Sequence, residues 1–161
     1  MMTDKELADL IFPNITKTVE DYEKMYPERN LPEGAIVTRY APSPTGFVHI
    51  GALLVSFLCS RFAKQTGGVN FLRIEDTDQE RSIENGVSSI INSLKDFSVT
   101  FDEGPISESE ETGIYGPYTQ TKRKDIYQAF ARQTNGIFFL RVEDTDTKRT
   151  IDNGNIILLM D

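Results

Sequence analysis

The 161-residue chain contains one cysteine, one histidine and no tryptophan. A single cysteine excludes an internal disulfide, and one Cys with one His excludes a zinc site of the usual four-ligand kind. Cys59 is expected to be a small hydrophobe inside a helix. No apolar run reaches the roughly 20 residues of a membrane-spanning helix, and the N-terminal Met-Met-Thr-Asp-Lys-Glu-Leu lacks the basic-then-apolar layout of a signal peptide, so a cytoplasmic protein without a membrane partner is expected. Positive charge is scarce too, with 17 Lys and Arg against 25 Asp and Glu for a net charge of −8. Residues 1–34 carry four positive and eight negative charges, 35–131 nine and twelve, and 132–161 four and five. No segment is a basic arm. A nucleic-acid contact would therefore fall to local clusters such as Lys122, Arg123 and Lys124, which read equally well as a solvated helix face. At 39% hydrophobic and 26% charged, the chain has the composition of one ordinary globular domain.

What the chain does have is centred on Arg39-Tyr-Ala-Pro-Ser-Pro-Thr-Gly-Phe-Val-His-Ile-Gly51. Before it lies a predicted strand, Ile36–Tyr40, and after it a predicted helix, Ile50–Lys64. Pro42 and Pro44 stiffen the connection, while Gly46 and Gly51 allow close backbone approach to another group. A strand that feeds a helix through such a turn presents free N–H groups and the positive helix end, where α/β sheets bind phosphates. Gly46-x-x-x-x-Gly51 is not a Walker loop, because Ala52 and Leu53 stand where Lys and Ser or Thr are needed. His49 on its own is read either as part of this site or as a satisfied, half-buried side chain.

Residues 1–34 read as two short helices, one capped by Thr3 and Glu6 ahead of Leu7, Leu10 and Ile11, the other striped by Val19, Tyr22, Met25 and Tyr26 up to Pro27. In the Ile50 helix, Leu53, Leu54, Phe57, Leu58 and Phe62 form the stripe expected to pack on a sheet, up to the stop at Gly67-Gly68. Val69–Ile74 is a second strand, parallel to the first by the right-handed crossover rule. Ser82–Asp96 is predicted as a helix capped by Ser82, with Ile83, Val87, Ile90, Ile91 and Leu94 inward. Phe97–Phe101 is a short strand, Asp102–Gly116 an acidic loop, and Thr121–Gln133 a helix with Ile126, Tyr127 and Phe130 inward. The carboxylates of Glu75-Asp-Thr-Asp78 are expected to point into the crevice of the His49 loop, with a plain helix-capping loop as the alternative. A calcium loop fails there, since Arg81 stands at the obligatory glycine and Val87 at the final glutamate.

Pro42-Ser-Pro-Thr-Gly-x-x-His-Ile-Gly51 resembles the first signature of class I aminoacyl-tRNA synthetases, and its Ala-Pro-Ser-Pro-Thr-Gly lead resembles the glutamyl-tRNA synthetase branch; a glutaminyl enzyme would show a Glu-Pro-Asn-type lead. Phe71-Leu-Arg-Ile-Glu-Asp-Thr-Asp78 with Arg81, Phe101-Asp-Glu-Gly104, and Tyr115-Gly-Pro-Tyr-Thr-Gln120 with Arg123 resemble successive blocks of the same family in the same order, over residues 36 to 131. The resemblance implies a Rossmann-like α/β fold with a parallel sheet in residues 35–131, behind a helical extension of residues 1–34. It implies activation of glutamate by ATP, with Mg2+ accompanying the nucleotide, and transfer to tRNA; zinc is excluded by the Cys and His count, and the oligomeric state is not set by the sequence, with a monomer favoured. His49, Thr45 and Gly51 would serve ATP and catalysis. Arg39, Ala41, Ser43 and Glu75 would bind glutamate, with Arg39 on a carboxylate and Glu75 on the ammonium, and Arg81 would touch the tRNA acceptor end. Ala52 takes the place of a second histidine in the signature. Neither the family's lysine-rich second signature nor an anticodon-binding region occurs in the 161 residues, so the chain looks like the N-terminal piece of a synthetase with little or no aminoacylation of its own. A glutamyl-queuosine tRNA(Asp) synthetase shares these motifs, and a non-catalytic nucleotide- or tRNA-binding relic is a further alternative.

The end of the chain copies its middle. Phe130–Gly154 matches Phe62–Gly86 at 16 of 25 positions, so residues 132–161 repeat the 64–93 segment. Both copies encode the same strand, acidic loop and helix, and the sheet has one slot of that kind. The first copy is expected to fill it, because its crossover is shorter. The second copy, including Arg141, Glu143 and Asp144, is expected at an edge or poorly ordered, without independent function.

Overall fold

The computed structural model describes residues 6, 9–10, 12–133, 139–140 and 158–159. Strand β1 (Val37–Tyr40) and strand β2 (Val69–Leu72) pair in parallel, with Arg39 opposite Phe71 and Tyr40 opposite Leu72. Helix α2 (Ile50–Thr66) makes the crossover between them, and helix α1 (Val19–Met25) precedes both. Pairing runs on beyond β2. The Arg73 N–H donates to the Tyr40 carbonyl at 3.0 Å and the Glu75 N–H to the Pro42 carbonyl at 2.9 Å. On its other side β2 forms parallel bridges from Phe71 to Glu103 and from Ile74 to Thr119. Helix α3 is Gly86–Asp96, and a 3-10 turn at Gln120–Arg123 leads into helix α4, Lys124–Gln133. This is the small parallel sheet and α/β layering expected from the sequence. Among the described residues no helix is long and apolar enough to cross a membrane.

Alternation along the strands sends Tyr40, Leu72 and Ile74 to one face, where they close a core with Ile90 and Leu94 of α3 and with Val99. Helix α2 lies on the same face, and of its expected stripe Leu53 packs on the core, but beyond the first turn the helix is turned away from expectation. Ser56, Ser60 and Ala63 face the sheet, whereas Leu54, Phe57, Leu58 and Phe62 are between 44% and 57% exposed. Small side chains let the helix ride close over Thr38 and Asn70. There the Thr38 hydroxyl donates to the Cys59 carbonyl at 2.9 Å, and the Asn70 amide donates to the Thr100 carbonyl at 3.1 Å. Because α2 is apolar almost all round, the spacing of its large residues could not choose the buried face. The helix ends where Gly67 adopts φ 68°, and a Cβ on Gly68 would lie 1.9 Å from the Ile36 carbonyl oxygen, so the chain re-enters the sheet only through glycine.

Other expectations need correcting. Helix α3 starts at Gly86 and not Ser82, because its N-cap Asn85 sits in the left-handed region at φ 57°, which no helical turn can run through; the Ile83 N–H donates to the Pro44 carbonyl at 3.0 Å, and Ile83 itself is 37% exposed. Phe97–Phe101 is not a strand, since Ser98 sits at φ 60° and backbone pairing with β2 begins at Asp102, whose N–H donates to the Asn70 carbonyl at 2.9 Å. Within Asp102–Gly116 an antiparallel pair forms, β3 (Gly104–Pro105) with β4 (Glu111–Thr112). Tyr127 points outward at 37% exposure, while Ile126 and Ala129 are buried against Tyr22.

In the N-terminal segment Glu6, Asp9 and Leu10 are helical, with Leu10 exposed; Thr3, Leu7 and Ile11 lie outside the described residues. α1 is closed by a capping box between Thr18 and Asp21. Val19 and Tyr22 are buried on it, whereas Met25 is 45% exposed. The segment is tied to the 103–118 region by a polar cluster. Arg29 pairs with Glu103 through both guanidinium nitrogens, the Tyr118 hydroxyl donates to Glu103 at 2.8 Å, and the Arg29 guanidinium lies 3.8 Å from the Tyr115 ring centroid. The Arg29 hydrogen bond holds the Glu103 carboxyl below its ordinary value; burial, reinforced by Glu103, pushes Tyr118 up to about 12. Of the second copy, strand β5 (Phe139–Leu140) pairs antiparallel with β6 (Leu158–Leu159) in a sheet of its own, while the first copy's β2 holds the place beside β1. Arg141, Glu143 and Asp144 lie outside the described residues.

Candidate active site

Two groups of side chains meet at the carboxyl ends of β1 and β2, one on each side of the sheet. On the side of Tyr40 the proline loop encloses a cavity of about 320 Å³, lined by Tyr40, Ser43, Thr45, Val48, His49 and Ile90. Gly46 borders it, and a Cβ there would meet nothing within 4 Å. No protein atom crowds Gly46, so the loop is open where a ligand could lie.

His49 is an exposed side chain at the N-cap of α2, with its Nδ1 accepting from the Ala52 N–H at 3.3 Å. A neutral imidazole that accepts at Nδ1 carries its hydrogen on Nε2, so the outer edge of the ring is a donor at the positive end of a helix. The half-buried alternative for His49 therefore fails. Gly51 is explained by the same ring. A Cβ on residue 51 would lie 3.1 Å from Cε1 and 3.2 Å from Nδ1 of His49, so any side chain there crowds the cap. Cys59 lies one turn beyond Val55, half-buried, and burial pushes its thiol up, which keeps it protonated and unreactive.

On the opposite face Arg39, Arg73 and Glu75 alternate with the core residues. The Glu75 carboxylate oxygen Oε1 lies 3.3 Å from Arg73 Nη2 and 4.0 Å from Arg39 Nη1. Ala41, half-buried, stands between this trio and the loop. Arg73 escaped the sequence reading, although its i−2 spacing from Glu75 places it on the same face. The other carboxylates do not converge here as expected. Asp76 binds the Thr121 N–H at 2.9 Å and its hydroxyl at 2.5 Å, which starts the 3-10 turn, and Asp78 pairs with Arg81. Once Glu75 has paired with Pro42, the chain leaves the sheet and its acidic side chains spread to separate donors. The Lys122–Lys124 cluster is dispersed too, with Lys122 3.7 Å from Glu111 and Arg123 turned in to donate to the Pro117 carbonyl at 2.7 Å. Among the described residues no group of three or more His, Cys, Asp or Glu side chains is placed to hold a metal ion.

Residues 35–131 match the family model described as tRNA synthetases class I (E and Q), catalytic domain. The glutamate–tRNA ligase of Clostridium perfringens (strain 13 / Type A) is 52% identical over 131 residues, covering 81% of this chain and 24% of the relative. That of Acetivibrio thermocellus is 53% identical over 132 residues, with the same coverage. Among solved structures, a glutamate tRNA ligase from Elizabethkingia meningosepticum in complex with its amino acid superposes with a TM-score of 0.57 at 33% identity, over 76% of this chain and 25% of that one. The Elizabethkingia anophelis glutamate-tRNA synthetase gives 0.59 at 33% identity, over 76% and 26%. The chain thus spans about a quarter of the length of these relatives. With the parallel pair, the capped loop and more than half of its residues matched, the chain belongs to the catalytic-domain family of the class I tRNA synthetases for glutamate and glutamine.

Proposed function

We propose that these residues bind ATP and glutamate for the activation half-reaction of a glutamate–tRNA ligase, in which the amino-acid carboxylate attacks the α-phosphorus and expels pyrophosphate. The observation that carries this reading is the Glu75 N–H to Pro42 carbonyl bond. It holds the end of the strand bearing Arg73 and Glu75 to the proline loop, which supports reading the two sides of this strand end as an amino-acid pocket and a nucleotide loop.

Negative charge grows on the phosphate oxygens as the bond to pyrophosphate breaks. The His49 Nε2–H and the N–H groups at the start of α2 face that charge, while Thr45 lines the ATP side and Gly51 keeps the His49 ring in place. Glu75 takes the substrate ammonium and Arg39 a carboxylate, with Ala41 beside them and Ser43 on the loop cavity across the strand, where the amino acid must reach the nucleotide. Arg81, whose side chain is 68% exposed, reaches toward the tRNA acceptor end. Magnesium suits the nucleotide's own phosphates, since the described residues group no carboxylates for a protein-held ion. The lysine-rich second signature is not among the 161 residues, so the proposed role is binding and charge stabilisation within a larger catalytic domain.

Glutamate-dependent ATP–pyrophosphate exchange, in a full-length synthetase carrying these residues, tests the reading. Glu75→Ala is expected to raise the glutamate KM about tenfold to a hundredfold, with the ATP KM unchanged. The effect stays moderate because Glu75 is 35% exposed. An unchanged glutamate KM together with weakened tRNA binding would remove Glu75 from the pocket.

Residues 132–161 are proposed to add no function of their own. The amides of Leu72 and Ile74 should show equal hydrogen-exchange protection in the whole chain and in residues 1–133. Loss of that protection on shortening would give the repeat a structural role.

A further inference from the structure

Arg73 is given no ligand role of its own by the family resemblance, yet it is the nearer of the two cations on Glu75. Its side chain is 18% exposed against 41% for Arg39. Its Nε is buried with no hydrogen-bond partner, so the guanidinium is not in place to saturate acceptors of the fold. A buried, incompletely satisfied arginine is costly to keep, and here it is held by a strand whose neighbours Leu72 and Ile74 are fully buried. Its one ion-pair partner among the described residues is the carboxylate assigned to the substrate ammonium.

We infer that Arg73 is a positioning residue of the amino-acid pocket, which holds Glu75 in place and supplies the second positive charge that makes the pocket prefer an amino acid with two carboxylates. The inference rests on the proposed function, since it takes Arg39 and Glu75 as the pocket. The charge count carries it. Arg39, Arg73 and Glu75 sum to +1, and glutamate, with two carboxylates and one ammonium, carries −1. Glutamine is neutral and leaves the trio uncompensated. When substrate enters, Arg39 can leave its 4.0 Å approach to Glu75 for a substrate carboxylate. Glu75 then faces the ammonium while Arg73, on the same oxygen at 3.3 Å, keeps it from swinging away. Without Arg73 the trio becomes a plain Arg39–Glu75 pair of zero net charge, and the preference for a net anion fades.

The test is NMR titration of the 161-residue chain with L-glutamate, L-glutamine and, separately, ATP, for the wild type, Arg73→Gln and Arg73→Lys. Arg73→Gln should weaken L-glutamate about tenfold or more beyond any loss it causes for L-glutamine, and leave ATP binding unchanged. Arg73→Lys keeps the charge without the planar fork and should recover at least half of the lost preference. Equal weakening of L-glutamate, L-glutamine and ATP, with a lowered melting temperature in both variants, would make Arg73 merely structural and overturn the inference. An undiminished preference in Arg73→Gln would overturn it while leaving the proposed function standing. A wild-type chain that binds ATP but neither amino acid would overturn both.

Discussion

Replacing His49 with alanine is expected to slow glutamyl-adenylate formation about a hundredfold to a thousandfold, the usual effect of losing one donor aimed at developing charge. The substitution removes a second interaction as well. Nδ1 caps the Ala52 N–H, so alanine should also destabilise the fold by about 1 kcal/mol. Serine separates the two roles. It is among the best N-cap residues, but its short hydroxyl cannot reach where the imidazole Nε2 reaches. His49→Ser should therefore keep the wild-type melting temperature while pyrophosphate exchange remains as slow as in His49→Ala. If serine restores both stability and rate, the histidine acts only as a cap. Gly51→Ala, whose Cβ would press on the ring at 3.1 Å, should lower the rate to an intermediate degree without changing ATP affinity.

Removing Arg29 should have the largest effect on stability. Its side chain is 18% exposed and that of Glu103 12%, so Arg29→Met leaves a nearly buried carboxylate with only the Tyr118 hydroxyl as a side-chain partner. Breaking such a pair costs about 3 kcal/mol, or a melting temperature roughly 10 °C lower for a chain of this size. Glu103 also fixes the edge of the sheet, since its carbonyl accepts the Leu72 N–H at 2.9 Å. The loss should thus spread to exchange protection at β2. Arg29→Met with Glu103→Gln, which removes both charges, should recover more than half of the stability. Failure of the double variant to recover would show that the stacking of Arg29 on Tyr115 matters more than its charge. The pH dependence has a definite sign. The folded carboxyl of Glu103 is depressed, so its contribution is complete above the ordinary glutamate value of about 4.3 and is lost as pH falls through the lower folded value. Urea unfolding of the wild type should weaken over that acid range, and Arg29→Met should lose much of this dependence.

The amino-acid sequence by itself determined the parallel strand–helix–strand unit and the placing of the His49 loop at its end. Those features rest on short-range chemistry: prolines that hold the loop extended, Gly67 and Gly68 that end the helix, and a crossover handedness that follows from chain twist. The positions of Arg39 and Glu75 at the strand ends were legible for the same reason, whereas their assignment to glutamate came from the family resemblance. The tertiary structure decided which face of α2 is buried, because a helix apolar all round satisfies periodicity in several orientations and the choice falls to close packing over Thr38 and Asn70. It also held Ile83 to the Pro44 carbonyl, 39 positions away, ahead of a helix α3 that begins only after the left-handed Asn85. Asp76 and Asp78 parted from Glu75 because their partners, Thr121 and Arg81, lie in different directions once the strand ends. Arg29 became the clamp on Glu103 across 74 residues, and Arg73 became a neighbour of the pocket through strand alternation. Each of these depends on which donors and acceptors the folded chain brings together, a matter that local spacing leaves open.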